Sequence, residues 1–228
     1  DNYGVHYYEQ ETVDRLFVAA HKQGWQITAH AQGDAAIDML LNTIEKANEK
    51  CPRPHARHRI EHAGLASYDL VQRMKSQHVI PTPNPAFIYE YGDGYLKNYG
   101  ERTHHMFPLK DYLEEDIPAA ITSDSPVTDF SPMRGIHTAM TRMSHSGNMV
   151  GEKQKISLLD AIRMYTINAA YASFDEKIKG SLETGKLADM IILDRSILHT
   201  EVDALLDVKV EHVMIGGSFE YQREKELK

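Results

Sequence analysis

A single cysteine in 228 residues removes several explanations at once. Cys51 cannot close an internal disulfide, and it has no second thiolate to share a metal with, which fits a reducing compartment such as the cytoplasm. Long apolar runs are missing as well, so no segment reads as a membrane span and a membrane is not an expected partner. Positive charge is in deficit: 25 Lys and Arg stand against 33 Asp and Glu, a net charge of −8. Without a local basic patch, such a surface repels phosphate backbones, and nucleic acid is not an expected partner either. No low-complexity segment or close internal repeat interrupts the chain. An initiator methionine is also absent: the chain opens at Asp1 with no signal peptide, which reads as a processed chain or a fragment. What remains is ordinary for a globular protein, 42% hydrophobic and 25% charged, and long enough for one large domain or one domain with a small appendage.

Helical and extended patterns alternate along the chain. "QETVDRLFVAAHKQG" carries Val13, Leu16, Phe17 and Ala20 at helical spacing, with Gly24 as a stop signal, and "WQITAH" then reads as a strand. The next helix opens at Asp34, placed as its N-cap, with Ile37, Leu40, Leu41 and Ile44 as its stripe. A second strand is expected in "RHRIEHAGL", a helix capped by Ser67 after it, and a third strand in "HVIPTPNP", stopped by its prolines. Residues 86–105, rich in Tyr and Gly, read as a long loop. A short helix "FPLKDYLEED", a fourth strand "PAAITSDSPV", and helices at "SPMRGIHTAMTRM" and "SLLDAIRMYTINAAYAS" follow. Strands separated by helices of this length argue for βα units and a parallel sheet, in an open doubly wound form or as part of a barrel.

In either architecture, functional groups gather where parallel strands end. The first expected strand ends at His30, the second at His62 and the fourth at Asp124. A lone histidine at a strand end is commonly structural. Three groups of this chemistry at one rim put a metal or catalytic site beside that reading, because imidazole and carboxylate are ligands that zinc accepts.

"ITAHAQGDAAIDMLLNTIEKA", "RHRIEHAGL", "LEEDIPAAITSDSPV", "SPMRGIHTAMTR" and "GSLETGKLADMIILD", in this order over nearly the whole chain, resemble the amidohydrolase superfamily. The resemblance is to its amidohydrolase-3 branch, which includes N-substituted formamide deformylase-like and exoenzyme-regulatory-protein-like members. It implies an α/β fold: a metal-dependent (β/α)8 TIM-type barrel with a small β-sandwich built from both chain ends. His30 matches the metal-ligand histidine ending strand five and His62 the one ending strand six. Asp124 matches the aspartate ending strand eight, which binds metal and takes a proton from the attacking water. The implied reaction is hydrolysis of a C–N, amide-like bond of a small molecule with a divalent metal, zinc by its donor chemistry; a deaminase is a close variant. The HxH pair that ends strand one in the family is missing, as is the bridging side chain of strand four. The chain therefore resembles the carboxyl-terminal part of such an enzyme: a partial barrel (strands five to eight) over residues 1–176 and sandwich strands over 177–228. Its expected partner is the missing amino-terminal half or another copy of itself, and by itself it is expected to be inactive. A non-catalytic regulatory or scaffolding relative is the alternative.

Five further features need an account. "GSLETGK", residues 180–186, has the spacing of a phosphate loop, but Leu187 follows where Ser or Thr should, and the segment leads from a helix into a strand, so a turn is expected. Tyr89, Tyr91, Tyr95 and Tyr99 either shape a substrate pocket or pack their loop. Arg102 and Arg142 are candidates for holding a substrate carboxylate or carbonyl, beside the commoner reading of arginine as a surface or ion-paired group. Cys51 has no base partner in sight and is not a nucleophile candidate. In "EHVMIGGSFEY", Gly216 and Gly217 mark the turn of a hairpin.

Overall fold

The computed structural model describes residues 4–223. Its first sheet is parallel, as the alternation requires: β1 (Thr28–Ala31), β2 (Arg59–His62) and β3 (Ile80–Thr82), in that order. The crossovers are α1 (Gln10–Lys22) ahead of β1, α2 (Asp34–Lys50) between β1 and β2, and α3 (Tyr68–Ser76) between β2 and β3. One sheet face carries Ala31, Ile60 and Pro81, buried under the helices with Ile37, Leu41, Ile44 and Val71. The other face carries Thr28, His30, Arg59, Glu61 and Thr82, a polar set joined by the buried Ile80. Glu61 ties this face together. Its carboxylate accepts hydrogen bonds from the hydroxyl of Thr28 on β1, from Thr82 on β3 (2.6 Å) and from Arg59 Nε (2.9 Å). Burial pushes the Glu61 carboxyl up, but these donors together outweigh it and hold the group below its ordinary value.

The expected fourth strand runs alongside β3 but forms no regular ladder. Ala120 N–H donates to the Pro81 carbonyl (3.1 Å) and Thr122 N–H to the Pro83 carbonyl (3.0 Å). A parallel ladder also needs the reciprocal bonds, donated by residues 83 and 85. Both are prolines and have no N–H to give. The prolines of "IPTPNP" all face this seam, while Ile80 N–H pairs on the other side with the His58 carbonyl (2.8 Å).

Residues 86–105 are not a loop. Ala86–Tyr99 forms α4, and Gly100–His105 continues as a 3₁₀ turn. Phe87, Tyr91, Tyr95 and Tyr99 recur every four residues as one aromatic stripe, with successive rings 5.6, 6.5 and 6.0 Å apart. Gly92, which reads as a breaker, is a contact glycine: a Cβ there would lie 3.0 Å from Ser144 Cβ and 3.1 Å from Val150 Cγ2. Other expectations shift in detail. Leu16 is exposed, and α1 buries Val13, Val18 and His21 instead. Gly33, not Asp34, is the N-cap of α2. The helix expected over 157–173 breaks at Thr166 into α7 (Leu158–Tyr165), capped by Ser157, and α8 (Ile167–Ala172). Before these come α5 (Leu109–Glu114) and α6 (Pro132–Thr141).

Residues 180–186 form turns with no following helix, and Lys186 Nζ is occupied by Ser181 Oγ (2.6 Å), so the phosphate-loop spacing has no structural counterpart. The chain then enters an antiparallel sheet, β4 (Met190–Leu193), β5 (Val210–Ile215) and β6 (Ser218–Gln222). Gly216 and Gly217, at φ 57° and 86°, make the β5–β6 turn. Between β4 and β5, Leu205 and Val208 join the core of the first sheet. Among the described residues, no helix is long and apolar enough to cross a membrane.

Two predictions follow from the core. Ile27 N–H donates to His58 Nδ1 (2.9 Å), so the proton of the neutral ring sits on Nε2 and donates to His21 Nδ1 (2.8 Å); His21 Nε2–H then donates to the Cys51 carbonyl (2.6 Å). Burial, with His21 and Arg53 nearby, pushes His58 down to about 4. A histidine neutral when folded takes up a proton on unfolding, so stability should fall as pH drops from about 6.5 towards 4, by about 3 kcal/mol over the window. Urea titrations of the parent and His58→Gln across that window check this, the variant having the flatter profile. At Gly135, an added Cβ would sit 1.8 Å from Tyr165 Oη. Gly135→Ala should therefore lower the melting temperature, and adding Tyr165→Phe should recover part of the loss, which calorimetry of the single and double variants measures.

Candidate functional site

The parallel register pairs His30 with Glu61 and Ala31 with His62. Strand alternation would therefore send His62 to the helix side, away from His30. It does not go there. His62 and Ala63 adopt left-handed backbone conformations, φ 71° and 44°, which end β2 and re-aim the imidazole. The two histidine rings meet edge to face, with centroids 4.6 Å apart. Asp124, also left-handed at φ 54°, closes the group from the segment beside β3, with its Oδ2 4.0 Å from His62 Nε2. His30 and His62 thus meet where β1 and β2 end, and Asp124 reaches His62 from the segment beside β3.

Their environments differ. His30 is exposed, Asp124 is half-buried and His62 is buried. Desolvation, and secondarily the neighbouring His30, lowers the His62 pKa against the opposing pull of Asp124 and Glu61. The ring is thereby kept neutral near pH 7, the form in which imidazole donates to a metal. Its Nε2 faces Asp124, while its Nδ1 is buried with no hydrogen-bond partner. In kind, the donors suit a divalent metal such as zinc. In number they form an open set: among the described residues, no three His, Cys, Asp or Glu side chains gather closely enough to hold an ion as a group.

The residues around this set were mostly not singled out in the sequence. Phe87, the first ring of the α4 stripe, lies flat against His62 (5.7 Å, 19°). Tyr91 Oη donates to the Val127 carbonyl (3.0 Å), and Val127 N–H donates to the Asp124 carbonyl (2.8 Å), so α4 also steadies the Asp124 turn. Spacing every fourth residue was the signal for this stripe, and the two glycines masked it. Arg102 is at the surface, paired with Asp34 (2.8 Å). Arg142 cannot hold a substrate: it is fully buried, and its guanidinium donates to the carbonyls of Val150, Phe107 and Met106. Burial pushes it down to about 9, which still leaves it charged at neutral pH. Cys51 caps α2 through its backbone, with its thiol free.

Known proteins resemble this chain. N-substituted formamide deformylase of Arthrobacter pascens is 29% identical over 222 residues, which are 96% of this chain and 41% of that protein. Protein LONG AFTER FAR-RED 3 of Arabidopsis thaliana is 32% identical over 196 residues, 85% of this chain and 34% of that one. The crystal structure of an uncharacterized metal-dependent hydrolase from Pyrococcus horikoshii OT3 superposes with a TM-score of 0.74 at 28% identity, covering 86% of this chain and 39% of that one. The chain thus spans about two fifths or less of the length of the proteins it matches. The family model described as "Amidohydrolase family" matches residues 3–221, and the chain belongs to that family.

Proposed function

We propose that the chain supplies one part of a metal-dependent amidohydrolase active site that cleaves an amide-like C–N bond of a small molecule. The observation that carries this reading is the meeting of His30, His62 and Asp124 from three separate segments, two of them through left-handed backbone at the strand ends. In this reading the parallel sheet and the segment beside it are strands five to eight of a (β/α)8 barrel. The unit over residues 177–228, of which 224–228 lie outside the described residues, supplies sandwich strands through β4, β5 and β6, in line with the apolar side chains of Ile191, Ile215, Phe219 and Tyr221 that the second sheet leaves exposed. The remaining strands come from an amino-terminal half or from a second copy.

His30, His62 and Asp124 would hold a divalent metal, zinc by donor chemistry. Such an ion polarises a carbonyl and acidifies water. Asp124 accepts the proton of the attacking water on its carboxylate and hands it to the leaving nitrogen. The neutral His62 would offer its Nε2, the ring nitrogen that faces Asp124. Phe87 screens its ring from water on one side. A second reading, a non-catalytic regulatory or scaffolding relative, draws support from the open donor set.

Three outcomes are expected. In the assembled protein, His30→Ala and His62→Ala should each lower the metal content measured by elemental analysis; unchanged stoichiometry in both removes them from the site. Asp124→Asn keeps the shape and loses the base, so turnover on amides should fall about 10²–10⁴-fold with little change in melting temperature. Near-normal kcat contradicts its role. Residues 1–228 alone should be associated by light scattering and inactive, and activity should appear on completion with an amino-terminal half. Absence of activity in the completed assembly, with metal bound, favours the non-catalytic relative.

A further inference from the structure

A metal-binding histidine is normally held by its second ring nitrogen, which donates to a carbonyl or carboxylate and so fixes the ring plane. His62 has no such tether, since its buried Nδ1 has no partner. Besides the 4.0 Å approach of its Nε2 to Asp124, ring packing sets its orientation: the edge contact with His30 and the flat contact with Phe87. Phe87 is in turn met edge-on by Phe107 (6.1 Å, 78°). The orientation of His62 therefore depends on what holds Phe107.

Phe107 is fully buried and adopts a left-handed backbone, φ 44°. Its N–H donates to the Gly64 carbonyl (2.7 Å), and Ala66 N–H donates to the His105 carbonyl (3.2 Å). Residues 105–107 thus form a strap over the turn that follows His62. On its far side, the strap turns two carbonyls towards Arg142: Nη1 donates to Phe107 O (3.0 Å) and Nη2 to Met106 O (2.5 Å). Nε closes a third bond, to Val150 O (2.9 Å). Among the described residues, no carboxylate pairs with this guanidinium; its bonds go to main-chain oxygens. Gly151 makes room for it, since a Cβ there would lie 3.0 Å from Nη2. Arg142 itself stands in left-handed conformation at the end of α6, φ 61°.

We infer that Arg142 is a positioning residue: its fork of bonds to the strap carbonyls sets the plane of the His62 ring, through Phe107 and Phe87. A charged fork in a buried site forms strong, directional bonds to carbonyl oxygens, which a lysine cannot reproduce at three acceptors. The functional meaning of the ring plane rests on the metal-site reading, but the positioning itself does not.

The experiment follows the imidazole resonances of His62 by NMR in the metal-free, isotope-labelled chain, with those of the distant His21–His58 pair as reference. Arg142→Lys and Phe107→Leu should each shift or broaden the His62 signals and leave the reference pair unchanged. In Arg142→Ala, millimolar guanidinium should restore the parent signals. Cobalt(II) titration of the same proteins should show affinity weakened about 10- to 100-fold, the effect usual for loss of a support around a ligand. If the Arg142 variants fail to fold by circular dichroism, Phe107→Leu, which keeps the clamp and removes the ring edge, decides alone. Unchanged His62 signals in a folded Arg142 variant, or in Phe107→Leu, overturn the inference. His62→Ala separates the two readings: if cobalt(II) affinity is the same with and without His62, the metal reading fails, while the ring resonances still decide the role of Arg142.

Discussion

The parallel register between β1 and β2 constrains everything at the site. It aligns His30 with Glu61, so a strand continued by one more residue would carry His62 to the opposite face. The chain resolves this by leaving the strand conformation at His62 itself. Two consecutive non-glycine residues with positive φ have an energetic cost, borne only where the surroundings over-determine them. Those surroundings are the buried turn from Ala63 to Ala66, the strap across it and the aromatic floor of α4. The same device recurs at Asp124, so the two groups that approach one another most closely both project from strained backbone. Beneath them, Glu61 crosslinks the inner face of three strands with hydroxyl and guanidinium donors, a polar layer where a small sheet would otherwise slip.

Much of this was legible in the sequence, because the signals were local. Apolar periodicity located α1, α2 and α3, and the apolar runs ending in histidine located β1 and β2. The meeting of His30, His62 and Asp124 followed from one assumption, that the strands are parallel. The failures have a common cause. Gly92 and Gly94 read as helix breakers, yet Gly92 makes room for the side chains of Ser144 and Val150, distant partners that no local pattern reveals, and a Cβ at Gly94 would meet open space. Arg142 was mistaken for a surface or substrate group because a buried arginine without a carboxylate is uncommon. Three carbonyls from residues 106, 107 and 150 replace the counter-ion, and they converge only in three dimensions. Glu61 was legible in principle: parity along β2 places it on the face of His30.

Two buried polar groups, His58 and Arg142, are matched to neutral or main-chain partners rather than to opposite charges. His58 and His21 pass one line of hydrogen bonds from a backbone N–H to a backbone carbonyl without any charge. Arg142 spends its donors on peptide oxygens. Ion pairs such as Lys75 with Glu115 and Arg102 with Asp34 lie in the solvated shell, where they contribute little. The buried His62 Nδ1, like the Nδ1 of His137 and of His212, has no hydrogen-bond partner, and it belongs to a ring that stacks on Phe87.

The prolines of β3 give the sheet a seam of one-way polarity. On the side of β2, both strands donate and accept. On the side of Asp124, every hydrogen bond at Pro81 and Pro83 is donated by the neighbouring segment and none is returned. Such a seam lacks the returned main-chain bonds of an ordinary ladder, and the bond that β3's side does return comes from a side chain, Asn84 Nδ2 to the Ser123 carbonyl (2.8 Å), next to Asp124. The site therefore joins two regularly laddered strands, which carry the histidines, to a carboxylate whose segment is fastened beside proline by donors of its own and by one asparagine.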